Sequence, residues 1–171
     1  MPFHVIHKLI QRLTRLPWDA GIRLLLGLFG LSVGGWASII LLDDAMITFR
    51  VAENLAFGRG LVYNLGERIQ VTTTPLYTLI LVPGTWLFGS APHSALVLNL
   101  LLSALIPILA YDLGQRWSGR ITGIGGAVLL TLAPLLIIAF SMESYLYVAL
   151  TLVRLMLMPP GAGIGPGRWR D

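Results

Sequence analysis

Residues 24–42 read LLLGLFGLSVGGWASIILL, with Arg23 immediately before them and Asp43-Asp44 immediately after. None of these residues is charged. An uninterrupted apolar run of about 20 residues is the length of helix needed to cross a hydrocarbon core roughly 30 Å thick. No water reaches the backbone in lipid, so such a run must satisfy its own N–H and C=O groups, which a helix does. A first membrane span over 22–42 is therefore expected. The run exceeds the apolar core of about 7–15 residues typical of a secretory signal, and its small residues are scattered along it, so it is read as a retained span.

Upstream, Phe3, Ile6, Ile10 and Leu13 recur at helical spacing, with Lys8, Arg12 and Arg15 on the polar side. Residues 1–21 thus read as an amphipathic lead-in. The excess of basic residues before the span holds the N terminus in the cytoplasm, which puts residues 43–74 on the far side of the bilayer.

The composition agrees with a membrane chain. Hydrophobic residues make up 56% of the 171, charged residues 12%, and mean hydropathy is +0.78. That leaves too few charges to cover a soluble domain. Arg68 and Asp112 enclose a second uncharged stretch, and Arg120 and Glu143 a third. The net charge of +4 does not imply a nucleic-acid partner, because the basic residues flank the apolar runs, where they orient spans and meet lipid headgroups. The absence of cysteine excludes disulfides, thiol catalysis and Cys-bound zinc. His4, His7 and His93 show no metal spacing.

Beyond the outer loop lie three apolar stretches, 76–89, 94–113 and 121–141. Three full crossings would leave Arg116 and Arg120 outside, against the positive-inside rule. The first stretch is short and interrupted by Pro83-Gly84, so it is either a short span or, the reading favoured, a re-entrant or interfacial helix with both ends outside. The Arg116–Arg120 loop then becomes cytoplasmic, and Glu143 surfaces on the side of Asp43-Asp44. A further span begins near Ser144 and breaks off after about ten residues, half the length a crossing requires. Residues 154–171 are rich in Gly, Pro and Arg and read as a disordered or frameshifted tail, so the chain is expected to be a fragment. The fold class expected is all-α, with polytopic transmembrane helices and a partly helical extracytoplasmic loop after the first span.

The outer loop runs from Asp43-Asp44 through Phe49-Arg50, Asn54-Leu55, Gly58-Arg59-Gly60, Tyr63-Asn64-Leu65-Gly66-Glu67-Arg68 to Thr74-Pro75-Leu76. Asp43-Asp44 can cap a short helix that extends to Ala56, on which Asp43, Arg50 and Asn54 fall near one face. Gly58 and Gly60 end it, Asn64–Gly66 forms a turn, and Thr74-Pro75 starts the next helix. On the residues alone, plainer readings are available. Asp43-Asp44 can be an interfacial cap, Arg50 a surface partner of Glu53 or Asn54, Glu143 an interfacial loop residue, and Asn99 a polar tie between helices.

The string as a whole resembles the first extracytoplasmic loop of GT-C-type membrane glycosyltransferases, in particular bacterial proteins similar to arabinofuranosyltransferases and mannosyltransferases. Residues 22–153 would be the N-terminal part of such a membrane domain. Ser141-Met142-Glu143 stands where that family carries Gly-Met-Glu, with serine replacing glycine. The resemblance implies transfer of a sugar from a polyprenyl-phosphate donor to a glycan, lipid or protein acceptor hydroxyl, outside a bacterial-type plasma membrane and with inversion. It implies Asp43 as the base with Asp44 beside it, and Glu143 as a second acidic group. Arg50, Asn54, Arg59, Asn64, Glu67, Arg68 and Thr74 become candidate substrate contacts, the arginines for the lipid phosphate. A divalent cation such as Mg²⁺ or Mn²⁺, if used, would draw on Asp43, Asp44 and Glu143. The alternative from another class is a catalytically inert membrane scaffold or transporter component.

Overall fold

The computed structural model describes residues 17–40, 42–67 and 73–158. Most of the expected lead-in, Arg68, and the Gly/Pro/Arg-rich tail beyond Met158 lie outside the described residues. Among the described residues the architecture is all-helical: α1 (Pro17–Ala37), α2 (Asp43–Ala56), α3 (Pro75–Phe88), α4 (Ala91–Ser118), α5 (Arg120–Thr131), α6 (Pro134–Ile138) and α7 (Ser144–Leu157). Two stretches, Asp19–Ala37 and Ala91–Ser118, are long and apolar enough to cross a membrane.

The central element is α4, against which α1, α2, α3, α5 and α7 all pack. Helix α1 lies along its second half, because glycines let the backbones approach. A Cβ on Gly30 would collide with the carbonyl oxygen of Ser103, and one on Gly34 would strike the Ser103 side chain. Small residues at a helix crossing are how packing is achieved where the surroundings are as apolar as the side chains. The same device seats α3 on the first turns of α4, where Gly84 abuts Ser94 and Ser94 Oγ donates to the Leu81 carbonyl at 2.9 Å. At the α4–α5 corner, a Cβ on Gly114 would lie 2.8 Å from Gly123 Cα.

Helices α1 and α3 therefore meet α4 at different heights. Gly27, Gly30 and Gly34 face residues 103–108, whereas Gly84 faces Ser94 and Tyr77 reaches Asn99. Large apolar side chains cover the outside of the bundle: Leu87 is 78% exposed, Leu135 84% and Ile121 89%. An apolar exterior of this extent is a surface built for a non-aqueous or partner environment.

The helices differ from the sequence reading in several places, beginning with the first span, expected over 22–42, which is the helix Pro17–Ala37 and ends short of Asp43. The expected break at Pro83-Gly84 is absent, since α3 runs through Pro83 to Phe88. The stretch 121–141, expected as one span, divides between α5 and α6. The division falls where Ala133, preceding Pro134, takes an extended conformation (ψ 118°), as the proline ring requires of its neighbour. Helix α7 does not stop at Arg154; it continues to Leu157, where Arg116 Nη1 donates to the Met156 carbonyl at 2.9 Å. Finally, the cap of α2 is Leu42, and Asp43 and Asp44 occupy its first turn.

Candidate active site

Helix α2 begins at the end of the α1 connection with two carboxylates in its first turn, where the unpaired N–H groups and the positive end of the helix dipole favour negative charge. Both side chains are exposed. The Leu42 N–H donates to Ser141 Oγ at 3.2 Å, across 99 residues of chain. That bond ties the start of α2 to the Ser141-Met142-Glu143 turn. Glu143 in turn is the residue from which α7 starts, half-exposed at that helix's N terminus. The structure thus brings Asp43, Asp44 and Glu143 to one end of the bundle, each at a helix start.

Beneath them lies Asn99, fully buried in α4. Its amide nitrogen is 2.6 Å from the Phe140 carbonyl, 2.9 Å from the Tyr77 hydroxyl and 3.3 Å from the Met142 carbonyl. Because two of these partners are carbonyl oxygens that can only accept, the nitrogen is the end of the amide that faces them. Asn99 Oδ1 is buried with no hydrogen-bond partner among the described residues. The Glu143 carboxylate lies within electrostatic reach of the Tyr77 hydroxyl. Asn99 is thus the expected tie between helices, whereas the bonding roles of Tyr77 and Ser141 escaped the sequence reading. Tyr77 follows a quoted motif and Ser141 belongs to one, but their partners are far away in the chain.

The loop that follows α2 folds back on that helix. Asn54 Nδ2 donates to the Val62 carbonyl at 2.8 Å and the Tyr63 carbonyl at 3.1 Å, so both amide hydrogens are used internally. Arg50 Nε donates to the same Tyr63 carbonyl at 3.1 Å, and its guanidinium lies 4.7 Å from the Tyr63 ring centroid. This shared partner bears out the expectation that Arg50 and Asn54 lie on one face. Arg59 stacks over Phe57 at 5.8 Å, beyond the far end of α2. At 1.5 Å per residue the length of α2 separates it from Asp43 by about 20 Å. Asn64 donates to Glu67 at 3.2 Å within an exposed turn closed by Gly66 at φ 90°. Thr74 is buried at the start of α3, where its carbonyl accepts from Thr78. The C terminus of α2 is held by Trp86 Nε1, which donates to the Ala56 carbonyl at 2.6 Å. Glu53 accepts from the first N–H of α4 at 3.1 Å.

Among the described residues no three His, Cys, Asp or Glu side chains gather as a metal set, so Asp43, Asp44 and Glu143 do not form a three-carboxylate cage. A Mg²⁺ bound through one or two carboxylates and substrate phosphate needs no such cage.

The opposite end of the bundle carries a second polar group that sequence reasoning missed. Arg23 pairs with the buried Asp112 at 2.9 Å. The buried Asp19 accepts from the Tyr111 hydroxyl at 3.0 Å and pairs with Arg120 at 3.1 Å. Both carboxylates are matched by a cation, as burial demands. These pairs fasten the start of α1 to the end of α4 and the start of α5.

No family profile matches the chain, and no solved structure does. The chain is similar to a curated protein, the terminal beta-(1->2)-arabinofuranosyltransferase of Mycobacterium tuberculosis (strain ATCC 25618 / H37Rv), at 33% identity over 93 residues. The match takes in 53% of this chain and 15% of that protein, so the chain corresponds to a small part of its relative's length. By its name, that relative is a glycosyltransferase.

Proposed function

We propose that this chain carries the carboxylate end of a GT-C-type membrane glycosyltransferase site, which moves a sugar from a polyprenyl-phosphate donor to an acceptor hydroxyl outside the cytoplasm. The observation that carries this reading is the Leu42–Ser141 hydrogen bond, which joins the Asp-Asp helix start to the Ser-Met-Glu turn. The loop string and the partial similarity to an arabinofuranosyltransferase support it and make arabinofuranose the first sugar to test.

In this reading Asp43 accepts the proton of the incoming hydroxyl as its oxygen bonds to the anomeric carbon. The bond from that carbon to the phosphate oxygen breaks, its electron pair leaves on the polyprenyl phosphate, and the configuration inverts. Arg50 is exposed and uses Nε on the loop, which leaves its terminal nitrogens for the phosphate. Asp44 and Glu143 complete the acidic face. The Asp43–Glu143 end lies outside, the Arg116–Arg120 end lies in the cytoplasm, and α3 is a re-entrant helix that leaves both its ends outside. The pairing of α1's start with residues 112–120, and the seating of α3 on the outer turns of α4, support that arrangement.

The test is transfer from a polyprenyl-phosphoryl arabinofuranose in liposomes that contain the full chain. Replacement of Asp43 by Asn should lower the rate by roughly 10²–10⁴-fold, the usual contribution of a general base, with membrane insertion unchanged. Transfer at the parent rate would remove Asp43 from the role. An inactive parent would favour the inert scaffold.

A further inference from the structure

The polar contacts between α4 and the acidic end form a continuous chain. Asn99 binds the Phe140 and Met142 carbonyls; Ser141, between them, binds the Leu42 N–H; Asp43 follows Leu42 directly. Glu143 follows Met142 on the other side. The turn that carries them is otherwise held by three backbone bonds, Phe140 N to the Ile137 carbonyl at 3.3 Å, Met142 N to the Ala139 carbonyl at 3.0 Å and Tyr147 N to the Glu143 carbonyl at 3.1 Å. Apolar packing of the turn comes from Phe140, whose ring meets Tyr145 edge-on at 5.3 Å, and from the half-buried Met142. Apolar contacts limit distance more than rotation of the backbone about them, so the orientation of residues 141–143 rests chiefly on hydrogen bonds.

Asn99 is also a costly way to fill its site. Among the described residues its Oδ1 is buried and unpartnered, and a buried polar atom in that state is destabilising. An apolar residue of the same shape would avoid that cost, although it would leave the two carbonyls unheld. An amide kept at a loss of stability suits a role in which direction matters more than net binding.

We propose that Asn99 and Ser141 are positioning residues that together set the spacing between the Asp43-Asp44 helix start and Glu143. Asn99 fixes the turn against α4, and Ser141 fixes α2 against the turn. The consequence for catalysis rests on the function proposed above; the geometric claim does not.

The chain has no cysteine, so two introduced cysteines are its only labelling sites. Met46 on α2 and Tyr147 on α7 are both exposed, and Tyr147 is one helical turn beyond Glu143. Spin labels on Met46→Cys and Tyr147→Cys, in the full chain in nanodiscs, should give one narrow distance by pulsed electron spin resonance. Asn99→Leu and Ser141→Ala should each broaden that distribution or shift it by several ångströms, while helix content and monodispersity stay as in the parent. Parent-like distributions in both variants would overturn the proposal. Should Asn99→Leu fail to fold, Ser141→Ala decides alone, since it removes one oxygen from a small side chain and leaves the Asn99 bonds in place.

In the transfer assay, with polyprenyl-phosphoryl arabinofuranose as donor, Ser141→Ala should lower kcat on the order of 10–100-fold, the scale of a misplaced catalytic group. The donor KM should stay within about twofold of the parent, because neither residue is placed on the donor. A KM effect without a kcat effect would count against positioning. The distance measurement needs no sugar, so an inactive parent would sink the enzyme reading and leave this one to stand or fall on the distances.

Discussion

Asn54 shows how a residue in a recognisable motif can be fully occupied with structure. Its two amide hydrogens go to the Val62 and Tyr63 carbonyls, and Arg50 adds a third bond to the same loop. Among the described residues 57–67 there is no strand or helix to satisfy these carbonyls, so the side chains of α2 do so. Replacing Asn54 by Ala should therefore loosen residues 57–67 before it affects the bundle. Loss of the two bonds should make local opening about 1–3 kcal/mol easier, which corresponds to roughly a 5- to 150-fold rise in the open population. Arg59 lies exposed within this loop, so the check is the rate of trypsin cleavage after Arg59 in detergent. An unchanged rate would mean that the clamp lies elsewhere. The turn at Asn64–Gly66 was legible in the sequence because only a glycine tolerates φ 90° at that point. The duties of Asn54 and Arg50 were not legible, because a motif names residue types and not the atoms they bind.

Between elements, glycines decide the geometry, and they give opposite predictions on two faces of one helix. Gly30 faces the Ser103 carbonyl, a backbone atom that cannot move aside, while Gly35 has nothing within 4 Å of the position a Cβ would take. Changing Gly35 to Ala should raise helix stability by up to about 1 kcal/mol. The same change at Gly30 should destabilise the α1–α4 packing by about 1–3 kcal/mol despite that gain. Thermal denaturation of both variants in one detergent provides the comparison, and a Gly30→Ala variant as stable as the parent would show that the helices do not meet as described. Prolines show where reading by element falls short. Hydropathy and composition marked Pro83-Gly84 as a break and passed over Pro134, and the structure reverses both. A proline breaks a helix only where its neighbour's backbone can leave the helical region, and tertiary packing decides that. In α3, Gly84 is there to admit Ser94 and not to end the helix. By contrast, the extent of α2 was legible almost to the residue, because the acidic start and glycine stop are local signals.

At the scale of the molecule, two polar ends are separated by an apolar body. One end gathers Asp19, Arg23, Asp112 and Arg120, and the other gathers Asp43, Asp44 and Glu143. The contacts that define each end link residues 89 to 101 positions apart, which no local pattern encodes; only the charge gaps between apolar runs hinted that such ends exist. The open question at this scale is the role of α3, and its height on α4 gives a test. A re-entrant α3 returns the chain to the outer side, α4 then crosses inward, and residue 118 lies in the cytoplasm. A crossing α3 would put residue 118 outside instead. In the cysteine-free chain, Asn64→Cys and Ser118→Cys are both exposed single labelling sites. A membrane-impermeant maleimide applied to intact spheroplasts should label position 64 at once and position 118 only after lysis. Labelling of both from outside would make α3 a full span. It would also move Glu143 to the cytoplasmic face, away from Asp43. Such a result would contradict the Leu42–Ser141 bond itself, so this measurement tests the proposed site as directly as the topology.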